Sequence, residues 1–254
     1  MTTAKTPTPV TRQASWFRRV VPEGYATATL HLAGTSPLLM NSPEADRDSE
    51  LFRAFVALSQ KTGKTQDDES RLRELEWEVR IYLDADLGPY IPGANVKALL
   101  QEAAGKFKKG ATVKRSLITI PYRIPLEYDG PRDQEGLWAG GYRYTTMVKN
   151  AGYNGGRVMR CRPMFGTWAL TVPLAFDPEE IDPDTLALIV ERCQRYGLGD
   201  YRPEFGGFTA TLDLSNTKRA TRPAMGKKPR NGHEEKAHEA FKGRIMDPSD
   251  LVTA

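Results

Sequence analysis

Between Leu137 and Phe176 five cations, Arg143, Lys149, Arg157, Arg160 and Arg162, stand among Trp138, Tyr142, Tyr144 and Tyr153, with no Asp or Glu between them. Cations neutralise phosphates and release condensed counterions, while an aromatic face stacks on any base at roughly 1–3 kcal/mol per base. This combination suits a flexible single-stranded polyanion. For the stretch taken alone, a solvated loop whose aromatics pack locally is the plainer alternative. A second acid-free block, Ala103 to Leu126, carries Lys106, Lys108, Lys109, Lys114 and Arg115. Part of that clustering needs no ligand, because cations at a helix C-terminus complement its dipole.

Other chemistries have less to work with. Cys161 and Cys193 are the only cysteines, without C-x-x-C spacing or a nearby His cluster, and they read as reduced thiols of a cytoplasmic protein. His31, His233 and His238 are too scattered for a metal centre, so neither a metal nor another cofactor is expected. No run of eighteen apolar residues is present, and no membrane partner is expected. The formal net charge of +4 is matched by the segment after Ser215, which holds nine Lys or Arg against five Asp or Glu. The body of the chain is therefore close to neutral, and the distribution of charge says more than its sum.

The elements that must position these residues follow from periodicity. Residues 25–33 alternate as a half-buried strand with Ala26, Ala28, Leu30 and Leu32 on one face. Leu51, Phe52, Phe55 and Leu58 mark a helical face. A polar break over 58–70 separates it from a second short helix, with Leu72, Leu75, Trp77 and Val79, that passes into a strand near 80–83. Pro92 and Gly93 then introduce a helix in which Asn95 is the expected cap and Val96, Leu99, Leu100, Ala103, Ala104 and Phe107 form the stripe. Ile118, Ile120, Tyr122, Ile124 and Leu126 predict one strand, placed at a sheet edge by Pro121 and Pro125. Trp168 to Phe176 predicts the next strand. Asp182 and Pro183 open a helix with Leu186, Ile189, Val190 and Cys193 inward, and residues 208–214 close the pattern as a last strand.

Strand, helix, strand, strand, helix, strand is the α+β, ferredoxin-like (RRM-like) βαββαβ order, a four-stranded antiparallel sheet with both helices on one face. The domain spans 25–215 with insertions at 36–89 and 130–164. It is preceded by a flexible arm over 1–24 and followed by a basic flexible tail over 216–254. RNA-recognition domains of this layout read single strands on the open sheet face and through the loop between the second and third strands.

Residues 90–103, YIPGANVKALLQEA, resemble the I-P-G-S-S-x-K-G segment of the RAMP superfamily, the ferredoxin-like subunits that form the guide-RNA-binding backbone of CRISPR effector complexes. GLGDYRPEFGGF over 197–208 is similar to that superfamily's glycine-rich closing loop, although Ala98 stands where the pattern has a second glycine and the loop carries Asp200 and Arg202. PLLMN, LEYDGPRD, RVMRCRP and RPEFGGF are closer still to a group of phage and prophage proteins of unassigned function. The resemblance implies that the second insertion takes the place of the thumb that presses across the guide strand, and that Lys97 lies near bound backbone. Arg202 either contacts nucleic acid or pairs with Asp200. Gly206 and Gly207 either admit a phosphate or serve turn geometry.

Three readings follow. The first is a non-catalytic protein that binds single-stranded RNA or DNA and assembles side by side along it as a homo-oligomer or filament, with a possible phage or CRISPR-type protein partner. Its contacts would be Lys97, Lys106, Lys108, Lys109, Lys114, Arg115, Arg143, Tyr144, Lys149, Arg157, Arg160, Arg162 and Arg202. The second is a metal-dependent ribonuclease using an Asp ahead of the I-P-G segment, where Asp84 and Asp86 stand. The third is a protein-interaction or virion component that uses the Trp and Tyr residues of the insertion as anchors.

Overall fold

The computed structural model describes residues 20–149 and 156–215. The chain divides into a unit over Met1–Ala220 and a second over Thr221–Ala254. Most of the expected N-terminal arm, all of the basic tail and Tyr153 lie outside the described residues.

In chain order, β1 (Ala26–Gly34) and the short β2 (Leu38–Leu39) precede helices α1 (Glu50–Gln60) and α2 (Gln66–Glu78). Strands β3 (Leu83–Asp84) and β4 (Gly88–Pro92) lead into α3 (Gly93–Gly105), and α4 (Gly110–Ser116) leads into β5 (Leu117–Thr119) and β6 (Arg123–Pro125). Then come α5 (Gln134–Ala139), β7 (Arg143–Lys149), β8 (Arg157–Phe165), β9 (Ala169–Phe176), α6 (Pro183–Cys193) and β10 (Phe208–Asp213). Among the described residues no helix is long and apolar enough to cross a membrane.

The central sheet runs β10-β1-β9-β5, antiparallel throughout. With α3 and α6 as its crossovers this is the ferredoxin-like arrangement. Alternation in β1 and β9 sends Leu30, Leu32, Leu170, Val172 and Leu174 inward, where each is essentially fully buried. They meet Val96, Leu99 and Leu100 of α3 and Leu186, Ile189 and Val190 of α6 in one core. Each such side chain contributes about 1.5–3 kcal/mol through burial. Asp182 caps α6 by accepting the Thr185 N–H at 2.8 Å, with Pro183 in the first turn, as the sequence dictates.

Four local expectations are corrected. α3 starts at Gly93 directly after Pro92 without a side-chain cap, and the Asn95 amide instead reaches the Tyr82 hydroxyl at 3.4 Å. Phe107 falls beyond the helix and is exposed. The polar break is shorter than its composition implies, because Thr65 and Asp68 form a capping box that starts α2 at Gln66. α4 follows, with Lys114 and Arg115 in its last turn.

The fourth correction concerns the second strand. Leu117 to Thr119 pair with β9 at the sheet edge, and Glu127 returns to bridge Ala169 of the same strand. From Thr119 to Glu127 eight residues advance while β9 advances five, from Leu174 back to Ala169. The chain between them lifts away and pairs as β6 with β4. Three surplus residues reverse the alternation. Leu117 and Thr119 point inward before the excursion, Ile124 and Leu126 after it, and Ile118, Ile120 and Tyr122 do not share that face. Pro121 and Pro125 mark the excursion.

Gly93 seats α3 against it. Its N–H donates to the Tyr122 carbonyl at 2.8 Å, and a Cβ there would overlap the Thr119 hydroxyl and lie 2.5 Å from the Pro121 carbonyl oxygen. Gly93→Ala should cost about 1–3 kcal/mol in a urea unfolding curve. Gly105→Ala, whose Cβ meets nothing within 4 Å, should leave stability unchanged or raise it by up to about 1 kcal/mol. Equal midpoints for the two variants would remove the close approach as the reason for the glycine. Cys161 and Cys193 are fully buried, and burial pushes both thiols up, Cys193 to about 12. Both should resist a thiol reagent at pH 8 until the protein is unfolded; rapid native-state labelling would contradict their placement.

Candidate nucleic-acid interface

The hairpin of β7 and β8 follows from the sequence around it. Seven paired residues on each strand alternate between faces, from Arg143 opposite Pro163 to Lys149 opposite Arg157. β8 also pairs with β2, so the ribbon is the outer part of a three-stranded sheet. Its base is fixed by charge. Glu76 of α2 is only 3% exposed, accepts the Cys161 N–H at 2.9 Å through Oε2, and accepts Arg162 Nη1 at 2.8 Å through Oε1. Arg162, 7% exposed, also donates from Nε to Asp200 at 3.0 Å. Burial alone would lower the Arg162 pKa, but the bonds to Glu76 and Asp200 outweigh it and the net shift is upward. Arg80 lies close by with its pKa lowered by burial and by Arg162, and it donates to the Ser42 carbonyl at 3.2 Å. A further bond, Trp77 Nε1 to the Tyr142 carbonyl at 2.8 Å, ties α2 to the start of the hairpin.

These contacts revise several expected sites. Arg162 is a structural cation, since its guanidinium is used up inside the protein. Arg160 lies 3.6 Å from the same Glu76 carboxylate and keeps partial exposure. Asp133 caps α5 by accepting the Gly136 N–H at 2.7 Å. Asp200 pairs with Arg162 rather than Arg202, which lies 3.6 Å from Glu102.

The aromatic residues of the insertion are also engaged. Trp138 packs 5.5 Å from Trp77, and Tyr142 contacts Tyr128 and Phe165. Tyr144 lies 5.0 Å from Phe205 of the closing loop. Arg143 sits over the Trp138 ring at 4.5 Å and donates to its carbonyl at 2.6 Å. Toward the open end, Lys149 and Arg157 face solvent as cross-strand partners beside Met147, which is 54% exposed.

The second basic block sits elsewhere. Lys106, Lys108, Lys109, Lys114 and Arg115 gather after the C-terminus of α3 and along α4, with Arg115 paired to Glu180 at 2.7 Å. Lys97 is in the first turns of α3, and the hairpin base joins the chain beside Leu38 and Leu39 near that same end. At 1.5 Å per residue, the 13 residues of α3 are roughly 20 Å long. The open sheet face carries Thr27, Thr29, His31, Thr171, Thr209 and Thr211, and among these six residues the His31 imidazole is the one aromatic ring and no Lys or Arg occurs.

A cleft of about 300 Å³ opens between α3 and the closing loop, walled by Asn95, Ala98, Leu99, Glu102 and residues 198–202 and floored by Leu39, Met40 and Ile91. Lys97 is not among its lining residues. The loop is drawn onto the chain after β1: Asp200 N–H donates to the Leu39 carbonyl at 2.9 Å and Gly206 N–H to the Pro37 carbonyl at 2.8 Å. A Cβ at Gly206, where φ is +72°, would overlap the Leu198 carbonyl. That glycine therefore serves close approach of the protein's own backbone. Glu76, which fixes the hairpin base, is a residue that the sequence alone did not bring forward. The signal was that Leu72, Leu75, Glu76 and Val79 share one helical stripe.

No protein-family model and no curated protein matches the chain. Among solved structures it is similar to a chain in the cryo-EM structure of the Type III-B Cmr-beta bound to cognate target RNA, at 9% identity and a TM-score of 0.44, over 75% of this chain and 61% of that one. The chain thus spans less than two thirds of that neighbour's length.

Removing one partner of the buried cluster should be costly. Arg162→Met removes the nearer cationic partner of the buried Glu76 carboxylate, leaves only Arg160 at 3.6 Å, and should destabilise by about 3–5 kcal/mol, while adding Glu76→Leu should restore most of the loss. Urea midpoints of the two variants measure this, and a double variant as unstable as the single one would count against it.

Proposed function

We propose that the protein binds single-stranded nucleic acid without cleaving it, holding the sugar–phosphate backbone against the β7–β8 hairpin. The observation that carries this is the pairing of Lys149 and Arg157 at the solvent-facing end of an acid-free ribbon whose base is locked by Glu76 and Arg162. Two cations held at fixed spacing on a rigid support suit successive phosphates better than flexible side chains do. Met147, two residues before Lys149 on the same face, offers apolar surface to unstacked bases.

The separate basic group around α4 supports side-by-side assembly, since a strand leaving one hairpin can be received by Lys108 and Lys109 of a neighbouring copy. The resemblance of residues 90–103 and 197–208 to RAMP backbone subunits, and of other segments to phage proteins, points the same way. Against the nuclease reading, Asp84 accepts the N–H groups of Asp86 and Leu87 and is bonded to Arg123. That carboxylate is occupied in holding a turn. Against the reading with aromatic interface anchors, Trp138 and Tyr142 are packed inward.

Fluorescence anisotropy with matched single-stranded RNA, single-stranded DNA and duplex DNA across a salt titration tests the proposal. Single strands should bind more tightly than duplex, and Lys149→Ala and Arg157→Ala should each flatten the slope of log K against log salt by about 0.7. The ratio of RNA to DNA affinity assigns the sugar. Absence of binding at low salt, or unchanged slopes in both variants, would overturn it.

A further inference from the structure

The cleft between α3 and the closing loop is not used by the hairpin contacts, yet it is built as a ligand site. Its floor is apolar, formed by Leu39, Met40, Ile91, Leu99 and Leu198, and its polar groups converge from different elements. Asn95 comes from α3, Tyr82 from the segment before β3, Glu102 from the far end of the same helix face, and Arg202 from the loop. Asn95 and Glu102 are seven residues apart, two turns along one stripe, with the small Ala98 between them. This leaves a slot where a larger side chain would close it.

The chemistry of the lining selects among ligands. Glu102 pairs with Arg202 and Asp200 with Arg162, so the lining offers no uncompensated charge to a bare ion of either sign. The Asn95 amide offers a donor and an acceptor together. Its Nδ2 reaches the Tyr82 oxygen at 3.4 Å, leaving the phenol proton to be donated into the cleft. Burial raises the Tyr82 pKa, so that proton is retained. A neutral, planar group with an apolar face and adjacent donors and acceptors on its edge meets all of these demands. Asparagine pairing with such an edge is the ordinary way in which proteins read a base, and carboxylates accept from exocyclic amines. The volume, about 300 Å³, is at the lower bound of small-ligand pockets and accommodates one nucleotide.

We propose that this cleft is a nucleobase-binding pocket, taking one unstacked base between the Asn95–Glu102 face of α3 and the Leu198–Arg202 wall. That the base belongs to a bound strand rests on the function proposed above; the pocket itself takes a free nucleotide equally well.

The experiment is calorimetric titration of the full chain with AMP, GMP, CMP, UMP and ribose 5-phosphate, repeated on Ala98→Trp, Asn95→Ala and the Lys149→Ala/Arg157→Ala double variant. At least one nucleotide should bind saturably and at least fivefold more tightly than ribose 5-phosphate. Ala98→Trp, which fills the slot, and Asn95→Ala should each weaken it at least tenfold, with circular dichroism confirming the fold, and the hairpin double variant should bind it within twofold of the parent. Equal binding of ribose 5-phosphate, no saturation by any nucleotide up to millimolar concentration, or full affinity in both cleft variants would overturn the pocket. Strand binding by anisotropy separates the two proposals. Nucleotides bound without strands would sustain the pocket and sink the strand-binding function. Strands bound alike by the parent and Ala98→Trp, with no nucleotide uptake, would do the reverse.

Discussion

Arg162 is held between Glu76 and Asp200, and three parts of the chain depend on that contact. Glu76 belongs to the first insertion, Arg162 to the second and Asp200 to the loop that closes the fold. Removing three charges from water costs several kcal/mol per ion, and mutual attraction offsets this only when hydrogen bonds satisfy the remaining lone pairs and protons. Here the second oxygen of Glu76 is filled by the Cys161 amide, and Asp200 is positioned by its own N–H on the Leu39 carbonyl. The arrangement tolerates little displacement of any of the three segments. It converts two insertions that the ferredoxin-like core does not require into a fixed extension of it, and a β-ribbon that would be marginal alone gains a rigid base.

The same contact explains why so few of the basic residues remain available. Arginines close to buried carboxylates become structural, and those at the ribbon's end stay in water. The division falls along β8, where Arg162 is buried, Arg160 is intermediate and Arg157 is exposed. The aromatic residues divide in the same way, with Trp138 and Tyr142 drawn into the core by Trp77, Tyr128 and Phe165. A stretch that reads as uniformly basic and aromatic is thus inside at one end and outside at the other.

The core order and the inward faces of β1, β9, α3 and α6 were legible in the sequence because period-2 and period-3.6 patterns there are uninterrupted. The start of α6 was legible because Asp182 and Pro183 are strong local signals. The Glu76–Arg162 pair was not, since partners 86 residues apart in sequence leave no local trace beyond a carboxylate set in an apolar stripe. Nor was the placing of the two basic blocks on different elements, the hairpin for one and the end of α3 with α4 for the other. The cleft joins the segment after β1, Tyr82, Ile91, the Asn95–Glu102 face of α3 and the closing loop, which are far apart in sequence.

The excursion in the edge strand between Thr119 and Glu127 also bears on how the chain can vary. Both of its ends are anchored on β9, and that pairing sets the inward face on either side. A residue gained or lost between Thr119 and Arg123 falls outside the ladders of β5 and β6, so it alters the span of the excursion and not the faces of its flanks.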